Sequence, residues 1–111
     1  MYMYYILVNN KAIPTDDVKL WATGLNNNSI KQDCINDITI STVFLGLDHS
    51  FGGDEPLLFE TMVFGGVHDG FQERYHTYDE AIEGHRVVCS MVDRKRIERN
   101  EKLNIIIKNK K

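Results

Sequence analysis

Residues Ile38–Gly66 read ITISTVFLGLDHSFGGDEPLLFETMVFGG, two runs rich in β-branched and aromatic residues on either side of a polar stretch with Gly52, Gly53, Asp54 and Pro56. Such runs flanking turn formers predict an antiparallel hairpin. With Leu47 placed opposite Leu57, Leu45 faces Phe59, Val43 faces Thr61 and Ser41 faces Val63. Side chains alternate across a sheet, so this register gathers Val43, Leu45, Leu47, Leu57, Phe59 and Val63 on one face. Ile40, Phe44, Leu58, Met62 and Phe64 fall on the other. Both faces are then apolar and each needs a cover. Two helices in a chain of 111 residues hardly cover both, which predicts a homo-oligomer; the alternative cover is the N-terminal tyrosine strand.

Glu60 is the exception in LLFETMVF. A carboxylate among apolar side chains needs a partner, a proton or a ligand. One reading is a sheet-edge residue that reaches water or pairs with Arg74 or Arg86; the other is a site carboxylate.

Working outward, the N-terminal MYMYYILVNN predicts a first strand, Met3 to Val8, ended by Asn9 and Asn10. It lacks the basic start and small-residue cleavage site of a signal peptide. Thr15 followed by Asp16 and Asp17 predicts a helix N-cap and a short helix burying Val18, Trp21 or Ala22, and Leu25. Trp21 reads as a core anchor. Asn26 to Asp37 is polar and aperiodic and predicts a surface loop. VHDG, residues 67–70, is a turn into a short strand over Phe71 to His76. Thr77-Tyr-Asp-Glu80 is a capping box, and Tyr78, Ala81, Ile82, His85, Val88, Cys89 and Val92 follow at helical spacing. That helix predicts one buried face, with His85 a satisfied core histidine, and runs to Arg94 or further. Leu103 to Ile107 reads as a fifth strand or an assembly contact.

The fold class expected is therefore α+β, a small, mostly antiparallel sheet with one long C-terminal and one short N-terminal helix. Residues 1–94 form a single domain and 95–111 a basic helical extension or tail. Hydrophobic content of 42% and charged content of 26% are those of an ordinary globular domain, and no apolar run approaches a membrane span. Cys34 and Cys89 share no metal spacing, which favours a reduced setting over a single disulfide.

The net charge of −3 is unevenly spread. Residues 1–93 hold five Lys/Arg against fourteen Asp/Glu, and residues 94–111 hold eight against two. An acidic body repels nucleic-acid backbone, and the basic tail has no aromatic residue on which a base could stack. Both points argue against nucleic acid as a partner.

No GxSxG, P-loop, HExxH or helix-opening GxGxxG is present, and no cofactor is expected. Asp48, His49, Asp54 and Glu55 share the hairpin tip, with Glu60 a strand-length away. Oxygen ligands with one imidazole would suit a hard divalent ion and a metal-dependent hydrolase using Asp48, His49 and Glu60. The plainer reading is a solvated loop in which Asp48 takes turn amides. For an anionic ligand, Lys11, Lys31, Arg74 and Arg86 are the cationic candidates outside the tail, and Tyr4, Tyr5, Tyr75 and Tyr78 the stacking ones. The candidate binding set is Arg74, Arg86, Tyr75, Tyr78 and Glu60.

Trp21 with Ala22, TVFLGLDH at Thr42 to His49, LLFETMVFGG at Leu57 to Gly66, ERY at Glu73 to Tyr75, and Thr77 to His85 with its Gly-His pair form a set. Together they resemble a family of short bacteriophage and prophage proteins with no assigned activity. The resemblance covers roughly the middle two-thirds of the chain; the Asn-rich loop and basic tail depart from it. It implies a phage or mobile-element source and a bacterial cytoplasmic setting. With no catalytic signature, it leads to the expectation of a non-catalytic accessory protein, with counter-defence among its expected uses. Such a protein would sequester a small nucleotide-like signal or a host protein; the alternative is the metal-dependent hydrolase.

Overall fold

The computed structural model describes the backbone of residues 4–109 and the side chains of residues 4–93. In chain order the elements are β1 (Tyr4–Val8), β2 (Lys11–Thr15), α1 (Val18–Leu25), β3 (Ser29–Ile35), β4 (Ile38–Phe44), β5 (Phe59–Phe64), β6 (Gln72–Tyr75) and α2 (Tyr78–Asn109). The fold is α+β. β3-β4-β5-β6 form one antiparallel sheet and β1-β2 a separate hairpin. Two tight turns set the chain's course. Asn9-Asn10 and Asn36-Asp37 all have positive φ, between 47° and 67°, the backbone that two-residue hairpins require and Asn and Asp tolerate.

The β4–β5 hairpin forms one residue out of the expected register. Phe44 lies opposite Phe59, Val43 opposite Glu60, Thr42 opposite Thr61 and Ile40 opposite Val63. Gly46, at φ 75°, turns the chain out of β4, and its carbonyl accepts from the Tyr5 amide at 2.9 Å and from Trp21 Nε1 at 3.0 Å. Leu47 bridges to Tyr4. Leu45 still donates its amide to the Leu58 carbonyl at 2.7 Å, and from Gly46 onward the chain turns toward β1. A Cβ on Gly46 would sit 2.8 Å from Trp21 Nε1, which is why the junction needs glycine.

The slip re-sorts every side chain. Ile40, Thr42, Phe44, Phe59, Thr61 and Val63 are all buried, while Ser41, Val43, Glu60 and Met62 are half-buried and Phe64 is half-exposed. The sheet has one core face and one mixed face, as an antiparallel sheet covered on one side should. The grouping of Ile40 and Phe44 with Met62 and Phe64 does not exist, and the argument for a homo-oligomer loses that basis. Glu60 neighbours Val43 and is paired: Arg74, directly opposite on β6, donates Nε to it at 2.9 Å, and Gln72 donates Nε2 at 2.5 Å. The expected pairing with Arg74 is present, but on an inner strand and not at the sheet edge.

α2 covers the core face through Ala81, His85, Val88 and Val92, four positions of the expected stripe. Thr77 Oγ1 accepts from the Glu80 amide at 3.1 Å, but Glu80 reaches back to the His76 amide and not to that of Thr77. The core divides into a cluster of Phe44, Leu58, Phe59, Tyr75 and Ala81, closed by Tyr5, Leu7 and Ala12 of the hairpin, and a cluster of Ile40, Val63, Val88 and Val92. The helix continues through 103–107, so those residues are not a strand; an assembly role for them concerns side chains outside the described residues. α1 is capped by Asp17, which accepts from the Leu20 amide at 3.1 Å, and not by Thr15. It buries no residue fully and is anchored through Trp21 to Gly46 and the Tyr4 ring, 4.6 Å away.

Candidate functional site

Two places bring chemically useful side chains together. The first is a chain of polar groups inside the core. Asp33 on β3, His85 on α2, Thr42 on β4 and Thr61 on β5 line up because each projects toward the space between sheet and helix. Asp33 Oδ2 lies 2.7 Å from His85 Nε2, His85 Nδ1 lies 2.6 Å from Thr42 Oγ1, and Thr42 Oγ1 lies 2.5 Å from Thr61 Oγ1. Thr42 and Thr61 are fully buried and His85 is 1% exposed. The donor pattern is consistent for neutral imidazole: Nε2–H donates to the carboxylate, and Nδ1 accepts from Thr42, whose oxygen accepts from Thr61. An Asp-His-hydroxyl sequence of this kind can activate a nucleophile, but a fully buried Thr42 hydroxyl meets no substrate. Here it satisfies the core, as expected for His85.

The same cluster includes Cys89, one helical turn beyond His85, with Sγ 3.7 Å from Asp33 Oδ2. Burial first, and then the facing Asp33 carboxylate, push the Cys89 thiol up. The hydrogen bond from His85 holds the Asp33 carboxyl below its ordinary range against the opposing desolvation, with the charge of Lys31 assisting. A carboxyl lowered in the folded state stabilises the fold above its unfolded value, near 3.9 for Asp, and that stability is lost as pH falls through the folded value. Asp33→Asn should therefore flatten the acid limb of stability. Urea midpoints at pH 5 and pH 3 are expected to differ less in the variant than in the native protein; parallel profiles would contradict the assignment.

The second place is an open cleft of about 660 Å³ between the β1-β2 hairpin, the end of the β4–β5 connection and the start of α2. The hairpin contributes Tyr5 and Lys11, and the start of α2 contributes His76, Thr77, Tyr78 and Asp79; Leu58 and Phe59 also line it. Tyr78 is held edge-on to Phe59, with ring centroids 6.4 Å apart. His76 donates Nδ1–H to the Pro56 carbonyl at 2.9 Å, which orients the ring. The volume lies within the range of small-molecule sites, whose linings combine aromatic residues with a few polar ones.

Of the expected binding set, Tyr78 alone lines this cleft. Tyr75 is a core residue, 6% exposed, with a hydroxyl that lacks a hydrogen-bond partner; burial pushes its phenol up, and the neighbouring Thr61 hydroxyl offsets only part of this. Arg74 and Glu60 pair on the sheet, and Arg86 pairs with Glu83 on the outer side of α2. The five residues do not share a pocket. Asp48 takes the Ser50 and Leu57 amides at 2.8 and 3.0 Å; burial would raise its pKa, but those amides outweigh it and hold the carboxyl low. Asp48, His49 and Glu60 do not form a metal-ligand group. Among the described residues, the group of three whose ligand atoms converge is Asp33, His85 and Cys89.

No family model, curated protein or solved structure matches the chain. Among the described residues no helix is long and apolar enough to cross a membrane, and Cys34 and Cys89 are free thiols.

The missed residues had readable signals. Asn36-Asp37 between CI and IT is a two-residue hairpin pattern, and recognising it would have placed Asp33 on a strand. Asn9-Asn10 would likewise have folded Lys11 back along β1, opposite Val8.

Proposed function

We propose that this protein binds and withholds a small anionic, aromatic ligand of nucleotide-like chemistry in the cleft between the hairpin and α2. The observation that carries the reading is the convergence of Tyr5, Tyr78, Lys11 and His76 on one opening of ligand size. The tyrosine rings offer stacking surface, worth about 1–3 kcal/mol per base where such stacking occurs. Lys11 supplies the cation in an otherwise acidic body, and the start of α2 adds the positive end of a helix dipole, with Asp79 limiting how much anionic charge is tolerated. Binding without turnover fits the lining. Thr77 Oγ1 accepts from the Glu80 amide and His76 donates Nδ1–H to the Pro56 carbonyl, and no hydrogen bond joins these two side chains as a nucleophile and its base would be joined. The resemblance to small phage proteins supports occupancy of a host signal as the biological use, with a bacterial cytoplasmic setting.

The test is to incubate purified protein with a bacterial metabolite extract, wash it, release the bound fraction by heat and identify it by mass spectrometry. An unmodified aromatic anion at near-stoichiometric yield is expected, and Lys11→Glu or Tyr78→Ala should reduce its affinity about tenfold or more, equivalent to about 1.4 kcal/mol. A chemically converted product, or no bound small molecule, would contradict the proposal.

A further inference from the structure

We infer that Asp33, His85 and Cys89 form a binding site for a divalent transition-metal ion of the zinc type. The side chains come from two elements, β3 and α2, and their ligand atoms all lie within 4.8 Å of one another. His85 and Cys89 are four residues apart on one helix face, the spacing that lets two helical side chains reach one ion. Nitrogen, thiolate sulfur and carboxylate oxygen together suit a borderline ion such as Zn(II) or Co(II), not the all-oxygen shells of magnesium or calcium.

The distances allow such an ion with little movement. Bond lengths of about 2.0–2.3 Å in a tetrahedral zinc shell place neighbouring ligand atoms about 3.4–3.6 Å apart. Asp33 Oδ2 is already 3.7 Å from Cys89 Sγ and is 2.7 Å from His85 Nε2. Opening the Asp33–His85 contact by about 0.7 Å and drawing Cys89 Sγ, within 4.8 Å of His85 Nε2, to about 3.5 Å from it makes room for the ion. Asp33, whose side chain is 46% exposed, is free to make that movement, while His85 at 1% is fixed. Its other nitrogen is held by the buried Thr42 hydroxyl, the kind of outer contact that orients metal-bound imidazoles. Binding takes the neutral imidazole from its Nε2–H to its Nδ1–H tautomer with no net loss of a proton, Thr42 then accepting from Nδ1–H and donating to Thr61, and releases one proton, that of the Cys89 thiol, to solvent. Lys31 lies near enough to act on Asp33 and Cys89 electrostatically and moderates the affinity. Three protein ligands leave a fourth position on the Asp33 side for water or another donor.

The site is independent of the hairpin cleft. Its test uses the full chain carrying Cys34→Ser, so that any thiolate signal reports Cys89, titrated with Co(II) under reducing, chelator-free conditions. A saturable 1:1 complex with near-ultraviolet thiolate-to-metal charge transfer and intense visible bands of a four-coordinate ion is expected. Cys89→Ser should abolish the charge-transfer band, and Asp33→Asn should weaken binding at least tenfold. Both changes lie at the partly exposed end of the cluster, and circular dichroism verifies that the variants fold. Absence of the charge-transfer band, its persistence in Cys89→Ser, or unchanged affinity in Asp33→Asn would each overturn the assignment.

Discussion

Gly84→Ala is expected to destabilise the protein by about 2 kcal/mol or more, although replacing glycine with alanine inside a helix ordinarily stabilises by about 1 kcal/mol. The reason is the Tyr75 side chain. A Cβ on Gly84 would overlap its ring tip and hydroxyl, and Tyr75 is 6% exposed in the cluster with Phe44, Leu58, Phe59 and Ala81. Neither side has room to yield. Forcing extra volume into a filled core typically costs about 1–3 kcal/mol and sometimes more, which outweighs the gain in helix propensity. Urea denaturation should show the midpoint falling, and Tyr75→Leu should offset much of the loss when combined with Gly84→Ala, the non-additivity expected of touching residues. A neutral or stabilising Gly84→Ala would show that α2 sits farther from β6 than described.

His85→Ala should be costlier still, at about 3–5 kcal/mol. The substitution leaves a cavity beneath α2, for which large-to-small changes typically cost about 2–5 kcal/mol. It also removes the acceptor of the buried Thr42 hydroxyl, and an orphaned buried polar group costs about 1–3 kcal/mol. Thr42 and Thr61 still bond each other, which keeps the total below the sum of the two. Against a domain stability of roughly 5–15 kcal/mol, the variant should be near its unfolding threshold at 37 °C. A loss under 1 kcal/mol in urea titrations would contradict the relay from Asp33 to Thr61.

The parts of the fold that the residues made legible are those with strong periodicity. The β4 and β5 runs, the Thr77 cap and the stripe Ala81-His85-Val88-Val92 lie where composition and spacing put them. β3 was hidden because SIKQDCI is polar, carries a register shift between Ser29 and Lys31, and turns Asp33 toward the core for the sake of His85. β2 was hidden by Lys11 and Pro14, which an edge strand tolerates. The register of β4 and β5 depended on Gly46 serving β1 and Trp21, a long-range demand that a local reading of the hairpin does not contain.

The same limits explain the candidate site. Tyr75 and Tyr78 look equivalent in the sequence, but Tyr75 closes β6 under the helix while Tyr78 opens onto the cleft. Arg74 and Arg86 look free until Glu60 and Glu83 are placed beside them. Lys11 gains its place only because the Asn9-Asn10 turn brings it back along β1, opposite Val8.

The central claim, a cleft that holds a small aromatic anion, is tested most directly by amide nitrogen–proton spectra of the labelled protein, with and without a bacterial metabolite extract. The account predicts saturable shifts at Tyr5, Lys11, Ala12, His76 and Tyr78, with Glu60, Arg74 and Arg86 unmoved. An unchanged spectrum, or shifts centred on Glu60 and Arg74, would contradict it.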